Sequence, residues 1–518
     1  MKISVIGGGP GGLYFSILVK KAMPQFDINV YERNRADDSF GFGVVFSDET
    51  LSEFLSRDPE SYELIRSRFA YWDELDVARD GEKVRITGNG FCGCSRKTLL
   101  QLLQQRCREE GVNLHFEANV DNLSQFADSD IIVAADGINS AIRDKFAEDF
   151  GTRTELKSNR FVWMGSTRPL DAFTYFFRST PFGAMVAHTY QYEEGMSTWI
   201  FETSDEAWQK AGFEVADEQG TIAKLKEIFK EELDGHGLIS NRSHWRQFPA
   251  ITNKKWHKDN IVLLGDAKAT AHYSIGSGTK LAMECAIALA DSVIKYQDDT
   301  EKVFENYEKL RRNKVEIIQH AANVSLDWFE HMDRYMQQDF MQFAFSVMTR
   351  SKKVTYENLA LRDASFTKKV AADFNKKIGS GSAETSPAFT PFTLRGMTMP
   401  NRIVLSPMEQ YNAKAGVVGD WHLMHYGARA TGGVGLLLTE ATAISATGRI
   451  TEGCAGIWSE KQANVWKRIV DFVHQNSNSR IGIQIGPSGR KGAVKFPWEG
   501  NNEPLEHAWE LLSASPVA

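Results

Sequence analysis

Residues 2–12 read Lys-Ile-Ser-Val-Ile-Gly-Gly-Gly-Pro-Gly-Gly, and Glu32 follows twenty residues after Gly12. Three glycines in G-x-G-x-x-G spacing (Gly7, Gly9, Gly12) behind a short apolar run are a device for holding a dinucleotide. One glycine makes the tight turn, one lets the backbone approach a pyrophosphate, and one lets helix and strand pack closely. A helix opening at Pro10 offers free N–H groups and a positive dipole end to phosphates. Glu32 ends a second apolar run, 28–31, and is placed to accept from a ribose hydroxyl. Two more pairs close apolar runs: Asp136-Gly137 after 130–135, and Gly265-Asp266 after 260–264. Open α/β sheets bind ligands past the carboxyl ends of their strands, so three distant segments are expected to meet at one site.

The unbroken apolar character of 130–135 and 260–264 predicts buried parallel strands. A helix is expected from about Ser95 to Glu110, with Leu99, Leu102, Leu103 and Cys107 on one face. Between 161 and 202 the texture turns aromatic and β-branched, as in an antiparallel sheet. Its Tyr175, Trp199 and Phe201 either line a pocket or fill a core. Helices are expected near 216–234, 279–296 and 301–346, with 307–320 as exposed surface. Residues 376–387 are small and polar, the composition of a linker. Beyond it, strands at 402–406, 434–440 and 481–485 with a helix near 460–475 suggest a (β/α) barrel. The expected organisation is therefore a first domain at 1–375 with an antiparallel sheet inserted at about 155–250, a linker at 376–387, and a barrel segment at 388–518. About 130 residues follow Pro387, whereas a complete barrel takes roughly 200 or more. Three strands of eight make an incomplete barrel.

With 518 residues the chain is too long for one core. A net charge of −7 gives no global pull toward nucleic acid. No apolar stretch reaches the roughly 18–20 residues of a membrane span, and residues 1–6 are too short for a signal peptide, so a cytoplasmic protein is expected, with neither membrane nor nucleic acid as partner. The five cysteines are odd in number and scattered, which suits neither a disulfide framework nor a zinc site. Cys92-x-Cys94 is either a redox pair or two small buried residues. Oligomeric state is not legible.

In their order along the chain, the three segments resemble the FAD-dependent aromatic hydroxylases of the para-hydroxybenzoate hydroxylase type. The resemblance implies an α/β fold: a GR2-type Rossmann-like FAD domain with an antiparallel substrate sheet and C-terminal helices. It implies that Asp136 and Gly137 serve FAD and the pyridine nucleotide, that Asp266 holds a flavin ribose beside Gly265, and that Arg96 contacts the flavin. Arg33 joins Glu32 in the implied cofactor set, and Asn139, Ser140 and Arg143 extend the Asp-Gly motif. Gly276, Ser277, Gly278 and Thr279 would turn N–H groups toward the flavin pyrimidine edge; the alternative is an ordinary helix cap.

Three longer stretches, Gly41–Asp48, Gly90–Gly93 and Ala271–Glu284, are similar to the salicylyl-CoA 5-hydroxylase and anthraniloyl-CoA monooxygenase family. Lys268 departs from it, standing where a His is usual. The likeness implies that NAD(P)H reduces FAD and that a flavin C4a-hydroperoxide delivers oxygen to position 5 of an aromatic acyl-CoA. The cofactor supplies the difficult step, and no metal is implied. His272 either relays a proton from a phenol or aniline substituent or is structural. Arg153, Lys157, Arg160 and Arg168 either meet CoA phosphates or are solvated. Other readings are a hydroxylase of another aromatic or indolic substrate, a flavin oxidase or halogenase-like relative, for which the Trp-x-Trp-x-Ile motif is missing, and a non-catalytic flavoprotein from a broken fusion.

Pro400–Met408, His422–Gly427, Thr439–Ala441 and Gln484–Gly486 resemble the start of an old yellow enzyme barrel. The likeness implies Gln484 at an FMN ring and Tyr411 near a substrate. Pro487 replaces the usual His, and Glu409 a small residue or Cys. With the barrel incomplete, FMN is not expected there.

Overall fold

The computed structural model describes residues 1–39, 41–120, 122–379 and 385–515, with backbone alone at 47–52. Phe40 of the aromatic-glycine loop, the side chains of Ser47 and Asp48, and residues 380–384 of the expected linker lie outside the described residues. Two compact units are distinguished, Met1–Thr367 and Lys368–Ala518.

The first unit is built on a six-stranded sheet in the order His257–Lys258, Ile261–Leu263, Ile131–Ala134, Lys2–Ile6, Asp27–Tyr31, Asn113–His115. All neighbours are parallel except the first pair. Ile3 and Val5 pair with Ile28 and Val30 on one side and with Ile131 and Val133 on the other. These residues are buried, because helices cover both faces of a parallel sheet. Helix Pro10–Ala22 packs on helices Arg96–Glu110 and Gly278–Tyr296. Pro10 is suited to a first turn, where its missing N–H has no intrahelical use. Ser95 caps the second helix by accepting from Thr98 N, and Gly111 at φ +85° closes it.

A second sheet of eight strands runs mainly from Thr152–Ser166 to Arg246–Asn253, joined by Leu75–Arg79 and Glu82–Ile86 from earlier in the chain. Strand alternation sends Trp199, Phe201, Phe176 and Met185 to one face, where they meet Phe213, Leu225 and Phe229. Trp199 and Phe201 are thus core of that face, in a cluster that does not include Tyr175. The long helix expected at 301–346 is three: Thr300–Glu330, Met332–Met336 and Phe340–Thr349. The stretch 307–320 is not simply surface either, since Tyr307, Arg311 and Val315 are buried; the 3.6-residue period turns one stripe inward. All five cysteines are free and buried, Cys92 and Cys94 included.

The second unit holds a hairpin (Phe392–Leu394, Met397–Met399) and three parallel strands in the order Val404–Leu405, Leu436–Thr442, Arg480–Ile485. Helices Asp420–Thr431 and Glu460–Asn476 pack over them around Tyr426, Leu437, Trp466 and Ile469. No closed barrel is present among the described residues.

Candidate functional site

Four neighbouring strands of the first sheet end in Gly7, Glu32, Ala135-Asp136 and Leu264-Gly265. The sheet order therefore assembles what the sequence keeps more than two hundred residues apart. Gly7 lies at φ +112°, and a Cβ there would stand 2.2 Å from the Ala135 carbonyl oxygen. A Cβ on Gly12 would stand 2.4 Å from the Gly7 carbonyl oxygen. Those two glycines are demanded by packing. Gly9 is different: a Cβ there would meet nothing within 4 Å. It precedes helix Pro10–Ala22, whose first turn has no side-chain cap, so helix N–H groups face open space.

Glu32 folds back over the turn. Its Oε2 accepts from Gly8 N at 2.8 Å, and its Oε1 accepts from Asn34 N at 2.8 Å and Asn34 Nδ2 at 2.6 Å. Arg33 beside it is exposed. Asp136 accepts through Oδ2 from Ile142 N at 3.5 Å, while its Oδ1 is buried and unpartnered. Burial pushes its carboxyl above the ordinary carboxylate range. Gly137 has φ +84° and open space around it. Ser140 caps the next helix through Arg143 N at 3.0 Å, and Arg143 Nη1 donates to the Ile138 carbonyl at 3.0 Å. These two fix the Asp-Gly turn, whereas Asn139 is exposed.

Gly265 and Asp266 form a short turn at the end of Ile261–Leu263. Asp266 is exposed at its surface yet crowded by protein, which pushes its carboxyl up against the opposing pull of Arg96 and Lys268. The half-buried Arg96 guanidinium is lowered by the same crowding and raised by Asp266, and makes no side-chain hydrogen bond among the described residues. Gly276 at φ +62° and Gly278 also border open space, and Ser277 Oγ between them is buried without a partner. Helix Gly278–Tyr296, with Thr279 in its first turn, opens there without a side-chain cap.

Among the described residues, the buried Asp136 and Ser277 oxygens without hydrogen-bond partners, two helix starts without side-chain caps, and Arg96 beside Asp266 supply donors and acceptors for a ligand. A dinucleotide offers hydroxyls to the carboxylates and phosphates to the helix N–H groups, and so fits this cradle.

His272 caps the short turn that ends at Gly276. Its Nδ1 is 2.9 Å from Ser274 Oγ, and burial pushes its pKa down to about 4. Its rings of contact are Phe248 and Tyr273. On the sheet opposite, Glu202 takes a hydrogen bond from Asn159 Nδ2 at 2.9 Å and lies 3.0 Å from His188 Nε2, all three buried. Burial raises the Glu202 carboxyl, but His188, His272 and Asn159 outweigh it and bring it down to about 2. Arg350 donates to Tyr175 OH at 2.6 Å, to the Ser274 carbonyl at 2.5 Å and to Ser325 Oγ at 2.9 Å. Of the basic residues at 153–168, Arg160 pairs with Asp205 at 2.6 Å and Lys157 with Glu155 at 2.6 Å. Arg168 is half-buried over Phe176, with Nη1 unpartnered, and Arg153 is exposed. No cluster of three His, Cys, Asp or Glu among the described residues could hold a metal ion, and no helix among them is long and apolar enough to cross a membrane.

In the second unit Gln484 is exposed and borders a cavity of about 170 Å³ with Arg449, Cys454 and Pro487. Tyr411, at φ +51°, packs edge-on against Phe496 and Trp498. Glu409 Oε1 accepts from Ala441 N at 2.9 Å, and its Oε2 is buried and unpartnered. Burial and the neighbouring Glu440 push its carboxyl up to about 7. His422 Nδ1 accepts from Gly419 N at 3.1 Å, and its Nε2 lies 2.9 Å from Glu440 Oε1 without hydrogen-bond geometry, both atoms being buried.

Residues 90–321 match the FAD binding domain family, and residues 387–503 the NADH:flavin oxidoreductase / NADH oxidase family. Salicyloyl-CoA 5-hydroxylase from a Streptomyces species is 40% identical over 414 residues, covering 78% of this chain and 79% of the relative. The 3-hydroxy-4-methyl-anthranilyl-[aryl-carrier protein] 5-monooxygenase of Streptosporangium sibiricum is 34% identical over 70% of this chain and 97% of its own length. Among solved structures, 2-methyl-3-hydroxypyridine-5-carboxylic acid oxygenase superposes with a TM-score of 0.53 at 16% identity, covering 70% of this chain and 99% of that one. That likeness is one of fold.

Proposed function

We propose that this chain, which belongs to the FAD-dependent aromatic monooxygenases, hydroxylates an aromatic acid carried as a CoA thioester, with NAD(P)H and molecular oxygen as co-substrates. The ring position is the one para to a hydroxyl or amino group, position 5 of a salicylyl or anthraniloyl ring. The observation that carries the flavin part is the convergence of Gly9, Asp136 and Asp266 just past the ends of three adjacent strands, with Arg96 acting on Asp266 and an Asp136 oxygen buried without a partner. The thioester is supported by the two relatives, whose names put the aromatic acid on CoA or on a carrier protein.

FAD, when bound, supplies the activation of oxygen and its electrophilic delivery to the ring. The chain's own residues do the rest. Gly9 and the Pro10 helix start receive the pyrophosphate, and Asp266 and Glu32 accept from ribose hydroxyls. Arg96 offers a positive charge to the flavin, and the Gly276–Thr279 N–H groups favour negative charge on its ring. His272 is neutral across the physiological range, with its pKa down at about 4; it is suited to handing on a substrate proton and not to storing one.

The test is NAD(P)H consumption by the full chain against a panel of aromatic acids and their CoA thioesters, with product mass. The expected result is consumption stimulated by thioester and a product one oxygen heavier. Equal turnover of free salicylate or anthranilate would reject the thioester, because the CoA part would then contribute no binding energy to the reaction. Absence of any stimulation would leave a flavin-binding protein without hydroxylase activity.

A further inference from the structure

Behind the Gly265-Asp266 turn lies a pair of side chains that flavin binding does not use. Lys268 is fully buried, and its Nζ donates to Cys285 Sγ at 2.8 Å. Cys285 is likewise fully buried, on helix Gly278–Tyr296. No carboxylate is hydrogen-bonded to Lys268 among the described residues. Its Nζ sits over the Trp256 ring at 4.2 Å and within 5.7 Å of the Tyr307 ring centre. Burial, Arg311 and Arg312 lower its pKa below the ordinary lysine value, while the Cys285 thiol opposes them; the Trp256 face also favours the ammonium. Whenever it gives up its proton the amine is a nucleophile, and among the described residues the Cys285 sulfur is its one hydrogen-bonding neighbour.

We propose that Lys268 and Cys285 are an oxidative cross-linking site, joined by a sulfur–nitrogen bond when hydrogen peroxide reaches the pair. Peroxide oxidises the Cys285 thiol to a sulfenic acid and releases one water, its O–O bond being reduced. The Lys268 amine then attacks that sulfur and expels a second water. Sulfur is oxidised by two electrons, and the protein loses one hydrogen from sulfur and one from nitrogen. Sulfenic acids condense with nitrogen in this way when one is held against them. Burial slows oxidant arriving from solvent, but Lys268 lies two residues from Asp266. Resting on the reading above, peroxide would be released beside the pair whenever NAD(P)H oxidation runs without hydroxylation. The bond would tie the Gly265-Asp266 turn to the helix that starts at Gly278, fixing two flavin-holding segments together.

Peptide mapping of the FAD-bound full chain tests this in two arms, one with added hydrogen peroxide and one with NAD(P)H and oxygen but no aromatic substrate. The expected product is a linked peptide pair containing residues 268 and 285, about 2 Da lighter than the sum of its parts and separated again by dithiothreitol. C285A should give no such pair while still binding FAD. If added peroxide yields only sulfinic or sulfonic Cys285, or leaves it untouched while exposed methionines oxidise, the proposal is overturned. Cross-linking by added peroxide alone would support the pair's chemistry and count against the flavin as its oxidant source, so the two readings fail separately.

Discussion

At the residue scale the glycines separate by what a methyl group would strike. Gly9→Ala should fold as the parent does, since its Cβ meets nothing within 4 Å and its φ of −75° suits any residue. On the proposed reading it should nevertheless bind FAD more weakly, because a methyl group there would enter the space proposed for the pyrophosphate. Gly7→Ala should instead lower Tm and the yield of folded protein, with its Cβ 2.2 Å from a carbonyl oxygen at φ +112°. Flavin titration beside thermal melts distinguishes the two; equal loss of folding in both would reject the assignment of Gly9. Asp266→Ala removes an acceptor charged against Arg96. Losing a hydrogen bond to a charged group costs about 1.5–3 kcal/mol, or roughly 10- to 150-fold in Kd, so flavin should be lost on gel filtration. A variant that stays yellow with unchanged affinity would remove Asp266 from the cofactor set. These residues were legible in the sequence because a glycine or an Asp at a strand end is a constraint written in one residue's identity. Glu202 and His188 were not, because they become neighbours only through the pairing of two strands, with Val186 opposite Glu202 and His188 opposite Ile200. A polar residue in each of two aromatic strands was the available signal.

At the element scale, continuous apolar runs located the parallel strands to within a residue or two, as with 130–135 against Ile131–Ala134. The antiparallel sheet was legible as texture, but which face its aromatics take depends on register, and Trp199 and Phe201 went to the outer core. The elements also place titratable groups where opposite pH responses follow. His272, held among Phe248, Tyr273 and the sheet, titrates at about 4 when folded against 6.5 in the unfolded chain. Between those values the unfolded state binds the extra proton, so this group's contribution to stability rises with pH and is lost on acidification. His272→Asn should flatten that part of the Tm-against-pH curve between about 4 and 6.5. Glu409, between the strand ends of the second unit, titrates at about 7 when folded against 4.5 unfolded. There the folded state holds the extra proton, so stability falls as pH rises from 4.5 to 7. Glu409→Gln should abolish that decline, as followed by scanning calorimetry. An unchanged pH profile in either variant would mean that the group titrates elsewhere.

At the scale of the whole molecule, the two halves match different flavoprotein families, and the question is how many flavins one chain carries. The first unit has the complete strand-end constellation. The second has Gln484 beside a cavity of about 170 Å³, but only three parallel strands among its described residues. A (β/α)8 barrel binds phosphate through loops after its seventh and eighth strands, and a three-stranded sheet provides no such loops. Pro487 has no N–H to donate. Ile483 and Ile485 on the outer strand are exposed, as is characteristic of a sheet edge open to pairing and to aggregation. The expected content of the purified chain is therefore one FAD and no FMN, with no reduction of activated alkenes. Acid extraction followed by chromatography of the released flavin measures this directly. Near-stoichiometric FMN, accompanied by alkene reduction, would show that the second unit completes a barrel by pairing its edge with additional strands.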